Sequence, residues 1–231
     1  MKRSIVLFVL ISLISGTAFS QANGLNNRYE VMDPATSGKI FHNPKYEATK
    51  PKGSQYLNQM FASAKVQNVD QKSFMRYNVF RDEFEFITAK NDTLVLDKIE
   101  DFGNISFVAT NTKYKLVNYT DNNGKAVNGY LISLYEKGDY ILFKKQNITF
   151  YEEKIAKTSL ESSMPPKYVK ADDMYYLKNK ASGIAQFPSN KKGLVKLFPE
   201  RKAAIEAFIK ANNINFDMEK DMMKIVDFLA T

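Results

Sequence analysis

The stretch GYLISLYEKGDYILFKKQNITFY, residues 129–151, decides the fold of this chain. Within it, Gly129 to Tyr135 and Tyr140 to Tyr151 are rich in Tyr, Phe, Ile and Leu that alternate with polar residues. That alternation is the periodicity of a half-buried strand. Because only a few residues separate the two runs, they are predicted to be antiparallel neighbours.

The same pattern continues upstream to about Ser73. Turn signals rich in Asn, Asp and Gly separate the runs, since Asn and Gly tolerate the positive φ of tight hairpin turns. Asp121-Asn122-Asn123-Gly124 and Asn128-Gly129 are the strongest of these signals. Residues 73–154 therefore predict an antiparallel β-meander, rolled into a half-barrel, of about six or seven strands. The upstream runs are Phe74–Phe80, Glu83–Ala89, Thr93–Ile99 and Ile105–Tyr119.

The segments that flank this β domain have a different composition. Residues 21–72 are rich in Asn, Gly, Pro and Lys and predict an extended arm, whereas residues 155–171 contain Pro165-Pro166 and predict a linker. Residues 172–231 predict a small β-hairpin followed by a three-helix tail, because apolar residues recur there at helical spacing. The predicted fold class is therefore α+β.

The N-terminus predicts export. Lys2 and Arg3 precede an apolar run from Ile5 to Ile14, and small residues follow at Ala18 and Ser20. This order is typical of a cleavable signal peptide over residues 1–20. The run is only about half as long as the roughly 20 apolar residues that cross a bilayer, so no transmembrane segment is expected after cleavage.

Composition excludes several classes of function. The chain contains no cysteine, so it has neither disulfides nor thiolate metal sites. Its net charge of +8 comes from basic residues scattered among acids, and a dedicated nucleic-acid binder would show a denser basic stripe. We expect no nucleic-acid partner, no metal and no cofactor.

Candidates for catalysis are few. His42, the one histidine, lies in the arm beside Asn43-Pro44, and neither a G-x-S-x-G nor an H-E-x-x-H motif accompanies it. Asp82 and Glu85 lie near one predicted turn and are the weak candidates for a pair of catalytic carboxylates. Turns and solvent-facing strand positions also favour acidic residues, so the structural interpretation of both is preferred.

Aromatic residues provide the candidate binding surface. With 17 Phe and 13 Tyr, a sheet of this size cannot bury both its faces, so some rings should be exposed. The candidates are Tyr119, Tyr130, Tyr135, Tyr140 and Tyr151. These features favour a non-enzymatic binding or adaptor protein with another envelope protein as its partner and with an undetermined oligomeric state. The alternatives are a glycan or peptide hydrolase with paired carboxylates and a carrier of a small apolar ligand.

Several short motifs carry a resemblance to a family. They are Gly53-Ser54-Gln55-Tyr56-Leu57-Asn58, Arg76-Tyr77-Asn78, Asp82-Glu83-Phe84-Glu85-Phe86, Asp173-Met174-Tyr175-Tyr176 and Lys196-Leu197-Phe198-Pro199. With them, most of the exported chain resembles a group of uncharacterised exported proteins of Bacteroidota-type Gram-negative bacteria. The resemblance implies a periplasmic or outer-membrane-associated location, and it implies no activity. Asp92-Thr93-Leu94 also matches the O-glycosylation acceptor of that lineage.

Overall fold

The computed structural model describes residues 50–156, 160–179 and 183–231, which form one structural unit from Lys50 to Thr231. The predicted signal peptide, residues 21–49 of the predicted arm and His42 lie outside the described residues. The described chain is α+β, with a mostly antiparallel sheet followed by three helices. Within this part of the chain, no helix is long and apolar enough to cross a bilayer.

The sheet contains ten strands in the order β10-β9-β8-β7-β6-β5-β1-β2-β3-β4, so the predicted count of six or seven is too low. All the paired strands are antiparallel, and the two end strands are not paired with each other. The strands are β1 (Ala62–Val66), β2 (Ser73–Asn78), β3 (Glu83–Ile87), β4 (Thr93–Val95), β5 (Asn104–Phe107), β6 (Lys113–Thr120), β7 (Ala126–Lys137), β8 (Tyr140–Tyr151), β9 (Lys167–Asn179) and β10 (Gly183–Gln186).

The additional strands come from three places. β1 lies inside the predicted arm and pairs with both β2 and β5. The run Ile105–Tyr119 divides into β5 and β6 at a turn where Asn111 has φ 52. β9 begins at Lys167, inside the predicted linker, and pairs with β8 along most of its length. Consequently the hairpin of β9 and β10 belongs to the main sheet.

The sheet curls so that one part of it lies over another part and encloses a core. β1, β2 and β3 return over β6, β7 and β8, and the alternating inward residues of these strands pack together. Phe80, in the turn between β2 and β3, contacts Phe150 of β8 and Tyr168 of β9. The most buried members of this core are Ala64, Met75, Phe84, Ile105 and Tyr130.

The helices cover one face of β7, β8 and β9. They are α1 (Lys191–Leu197), α2 (Lys202–Asn212) and α3 (Glu219–Ala230). The side chain of Asn190 caps α1 by accepting from the Gly193 N–H, and Asn213 ends α2 with φ 47. The predicted apolar stripes are core: Ile205, Ile225, Val226 and Leu229 pack with Leu142 and Leu177 of the sheet.

Candidate functional site

The hydrogen-bond ladder between β7 and β8 ends partway along the two strands. The strands separate beyond that point, and the Asp82 carboxylate lies in the opening between them. The two strands pair from Lys137 and Tyr140 as far as Ile132 and Lys144. Beyond that point β7 pairs only with β6, and β8 only with β9. The Tyr130 N–H donates instead to the Asp82 carboxylate at 3.2 Å, and the Tyr130 carbonyl accepts from the Lys145 ammonium at 3.2 Å.

Asp82 reaches this opening from the turn between β2 and β3. Its backbone is left-handed, with φ 59, a conformation that Asp tolerates better than most residues. On β7, a Cβ at Gly129 would lie 2.5 Å from Asp82 Oδ2. The turn predicted at Asn128-Gly129 is therefore wrong, because both residues lie inside β7 and the glycine is required by the close approach of Asp82.

Lys145 closes the opening as a buried cation. Its ammonium donates to the Asp82 carboxylate, to the Tyr77 hydroxyl at 2.9 Å and to the Tyr130 carbonyl. Burial lowers the pKa of Lys145, and the charge of Asp82 opposes that shift. Burial and the Asp82 charge together raise the pKa of Tyr77 well above its usual value. All three donors of the ammonium are occupied by groups of the chain, so none is left to bind a substrate.

Glu85 lies in a separate network on the outer side of the β2–β3 hairpin. Arg76 donates to Glu85 Oε2 from Nε at 2.8 Å and from Nη2 at 2.6 Å. Tyr56 and Asn78 donate to Glu85 Oε1 at 2.7 Å and 3.2 Å. Burial alone would raise the pKa of Glu85, but the hydrogen bonds from Tyr56, Arg76 and Asn78 outweigh it and lower the pKa. A general acid needs the opposite shift.

The two candidate catalytic carboxylates therefore do not face each other. Along β2 and β3, Tyr77 pairs with Phe84 on the core side, whereas Arg76 pairs with Glu85 on the other side. Asp82 contacts the Tyr77 hydroxyl, and Glu85 contacts Arg76. Each carboxylate has its own basic partner on its own side of the hairpin, which is the arrangement of structural ion pairs.

Most of the candidate tyrosines are not surface residues. Tyr130 is buried in the core under β1, β2 and β3, and Tyr119 is buried in a second cluster with Leu131, Phe143 and Tyr176. Tyr135 is half-buried and donates to Asp227 at 2.5 Å, and half-buried Tyr140 packs near Phe198 of the helical region. Of these five candidates only Tyr151 is exposed, at 51%. Its ring lies 5.5 Å from the Lys167 ammonium.

Tyr151 is one of five exposed apolar residues on the β8–β9 hairpin and its extension, which together we call the hairpin tip. The β8–β9 hairpin continues past Tyr151 and Lys167, and Lys154 and Met164 exchange two backbone hydrogen bonds of 2.9 Å and 2.8 Å. Leu160, near the end of this extension, is 96% exposed. The hairpin tip comprises the exposed side chains of Tyr151, Ile155, Leu160, Met164 and Val169.

Where the hairpin tip begins, Lys52 pairs with β9 along the edge that does not face β8. Lys52 N–H donates to the Pro166 carbonyl, and Tyr168 N–H donates to the Lys52 carbonyl, both at 2.8 Å. Gly53 follows with φ +79, and a Cβ there would collide with the Tyr168 carbonyl. The strands that carry Tyr151 and Val169 are thus ordered by hydrogen bonds, while their outer side chains remain exposed.

Sequence reasoning missed most of the hairpin tip and all of Lys145. Ile155, Leu160 and Met164 lie in the segment interpreted as a linker from its Ser, Lys and Pro content; large apolar residues in so polar a segment were the available signal. In the alternation of β8, Lys145 follows Ile141 and Phe143 on the same face of the strand, and that face is directed inward. A lysine at such a position requires a buried partner.

The edge strand β4 carries the O-glycosylation motif. All three of its residues are exposed, including Thr93 of Asp92-Thr93-Leu94. The strand is also very short, which limits unwanted pairing with other chains. Thr93 is therefore accessible to a modifying enzyme, and its modification remains a prediction.

Comparisons with known proteins found no match: no family model, no curated protein and no solved structure matches the chain. Among the described residues, no three or more His, Cys, Asp or Glu side chains are grouped so as to hold a metal ion. Two features of the described chain are candidates for function: the hairpin tip and a cavity of the curled sheet.

Proposed function

We propose that this is a non-enzymatic binding or adaptor protein of the cell envelope that holds another envelope protein through the hairpin tip. One observation carries the proposal. Five large apolar side chains are exposed on one extended hairpin, and the strands at its base already have their backbone hydrogen bonds. Exposed apolar surface of this kind is typical of an interaction site.

The geometry of the hairpin favours affinity. Binding costs free energy wherever loops and side chains must become ordered, and paired strands reduce that cost. Tyr151 offers a large ring with few rotatable bonds, and tyrosine is enriched among the residues that dominate interface energy. The Lys167 ammonium beside that ring adds a polar rim. The partner surface that fits is an apolar groove bordered by acceptor or acidic groups.

The hydrolase alternative loses its support. It requires a carboxylic acid and a carboxylate that converge on one bond, usually about 5–9 Å apart. Asp82 is bonded to Lys145 and Glu85 to Arg76, on opposite sides of one hairpin. Neither group is placed to serve as the acid or base of a shared substrate.

A matched pair of variants tests the adaptor proposal. The tip variant carries Tyr151→Ser, Ile155→Ser and Leu160→Ser. The control carries Phe74→Ser, Ile99→Ser and Leu197→Ser, an equivalent set of exposed side chains away from the tip. Both should unfold like the wild type, because exposed substitutions change the free energy of unfolding by about 0.5 kcal/mol or less each.

We expect only the tip variant to lose a co-purifying envelope protein and to fail to complement a deletion strain. If the control fails as badly, or if the tip variant complements fully, the hairpin tip is not the binding surface. Loss of complementation by Glu85→Gln in a folded protein would instead support the hydrolase.

Mass spectrometry of protein from its native cells tests export. An N-terminus at Gln21 or Asn23 is expected, and retained Met1 would contradict export.

A further inference from the structure

A cavity of about 180 Å³ opens at the end of the curled sheet that is nearest to β1 and the turn between β5 and β6. It is separate from the hairpin tip and shares no residue with it. Met60, 75% exposed, stands at its rim. Its walls are formed by Leu57, Asn58, Met60, Ala62, Arg76, Tyr77, Val79, Phe107, Ala109, Thr110, Thr112, Tyr114 and Gln146.

The cavity is an extension of the apolar core. Tyr77, Val79 and Tyr114 are buried members of that core, and Phe107 packs against it. A molecule that enters would therefore replace water against rings and aliphatic side chains, which is favourable in proportion to the apolar area covered. An apolar cavity of about 150 Å³ is large enough for benzene. The volume here thus suits one ring with a small substituent.

The charge of Arg76, in the cavity wall, is already paired with that of Glu85. The Arg76 guanidinium lies 4.2 Å from the Tyr56 ring centre and 4.4 Å from that of Phe61. Its nitrogens already donate to Glu85, to the Tyr56 hydroxyl and to the Gln59 carbonyl. A ligand carboxylate would have no free cation to compensate its loss of water, so the cavity favours an uncharged molecule.

Gln146 gives the cavity one polar recognition group. Its Oε1 accepts a long bond of 3.4 Å from the Tyr114 hydroxyl. Within the described part of the chain its amide nitrogen has no hydrogen-bond partner, and neither has that of Asn58, whose Oδ1 accepts from the Met60 N–H. The hydroxyls of Thr110 and Thr112 lie 2.8 Å apart, and a single hydrogen bond joins them. The remaining polar groups of the wall include N–H and O–H donors, so the wall favours a bound molecule with an acceptor oxygen.

We propose that this cavity binds a small uncharged molecule with one apolar ring and one acceptor oxygen, of the size of a simple phenol. The ring packs on Tyr77, Phe107 and Tyr114, and the oxygen accepts from Gln146. This site is independent of the adaptor function and needs no partner protein.

Binding is tested on the whole, isotope-labelled chain by NMR titration with three probes that share a methylbenzene ring: p-cresol, toluene and 4-methylbenzoate. We expect saturable shifts for p-cresol at Ala62, Tyr114 and the Gln146 side-chain amide. Toluene should bind about 2- to 10-fold more weakly because it lacks the hydrogen bond. The benzoate should bind weakest. Equal affinity for all three probes, or shifts scattered over the surface without saturation, would overturn the proposal.

Two variants localise the site. Ala62→Leu fills the cavity and should abolish p-cresol binding, whereas Ala204→Leu, the same change at an exposed helix position, should leave it intact. Gln146→Leu should lower the affinity for p-cresol to that for toluene without changing toluene binding. Retained binding in Ala62→Leu would contradict the site. The tip variant should bind p-cresol like the wild type, which separates failure of this site from failure of the adaptor function.

Discussion

The two ends of the β8–β9 hairpin have the same kinds of residue and opposite surroundings. At one end, Leu142 pairs with Leu177 and Phe143 pairs with Tyr176, and none of the four is more than 2% exposed. At the other end, Tyr151 pairs with Lys167, and its ring is half exposed. We call these the hairpin base and, as above, the hairpin tip.

The difference comes from what covers each end. The helices pack on Leu142 and Leu177, and Tyr119 of β6 packs on Tyr176 at a ring distance of 4.8 Å. At the hairpin tip, no described element covers the outer side of Tyr151 or Val169. Apolar composition along a strand therefore identifies the sheet, and only the tertiary neighbours decide which rings are free to bind a partner.

The largest expected effect is a charge placed in the hairpin base. Leu177→Asp would bury an unpaired carboxylate beneath the helices and should cost more than about 4 kcal/mol, enough to abolish cooperative unfolding. Val169→Asp makes an equivalent change in the same strand at the exposed end and should cost less than about 1 kcal/mol. Chemical denaturation followed by circular dichroism measures both. Equal losses would mean that base and tip do not differ.

The second effect concerns the opening between β7 and β8. Asp82→Ala leaves the Lys145 ammonium buried without its counter-charge and should cost about 3–5 kcal/mol. Adding Lys145→Met removes the stranded charge and should recover part of that loss. Asp227→Ala breaks the exposed pair with Lys137 and the hydrogen bond from Tyr135, and should cost at most about 2 kcal/mol. If the double variant is no more stable than Asp82→Ala, the pair does not act as a unit.

The smallest effect is on alkaline stability and concerns Tyr176 of the hairpin base. Burial, followed by the charge of Asp121, raises the pKa of Tyr176 above its usual 10.0. The folded state therefore holds this proton more tightly, and stability is lost as the pH rises above 10, where the unfolded chain ionises first. Tyr176→Phe should reduce that loss. Urea unfolding of the variant and the wild type between pH 9 and pH 11 measures it, and an equal loss in both would contradict the effect of burial.

Much of the architecture could be predicted from local pattern. The alternation in residues 73–154 predicted antiparallel strands, and the spacing of Ile205, Ile225 and Leu229 predicted the helices, because each element buries one face at its own period. The turn chemistry of Asp121-Asn122-Asn123-Gly124 also placed one hairpin correctly, between β6 and β7.

The remaining features depend on contacts between residues far apart in the chain. Gly129 lies within β7, and Asp82, from a distant turn, occupies the space that a Cβ there would need. Tyr130 is buried because the sheet curls over it, and Ile155 and Leu160 form a surface because a polar segment continues the hairpin. Neither curl nor closure is encoded in the period of a single strand, so sequence pattern alone could not separate the buried rings from the exposed ones.

The most direct test of the account replaces single residues of the hairpin tip by a photo-crosslinking amino acid in living cells. Position 160 probes the tip, and position 197, exposed on the helical region, is the control. The account predicts one discrete adduct from position 160, shared with position 155 and absent at position 197. Adducts of the same mass from position 197, or none from the tip positions, would contradict the claim that the hairpin tip is the binding surface.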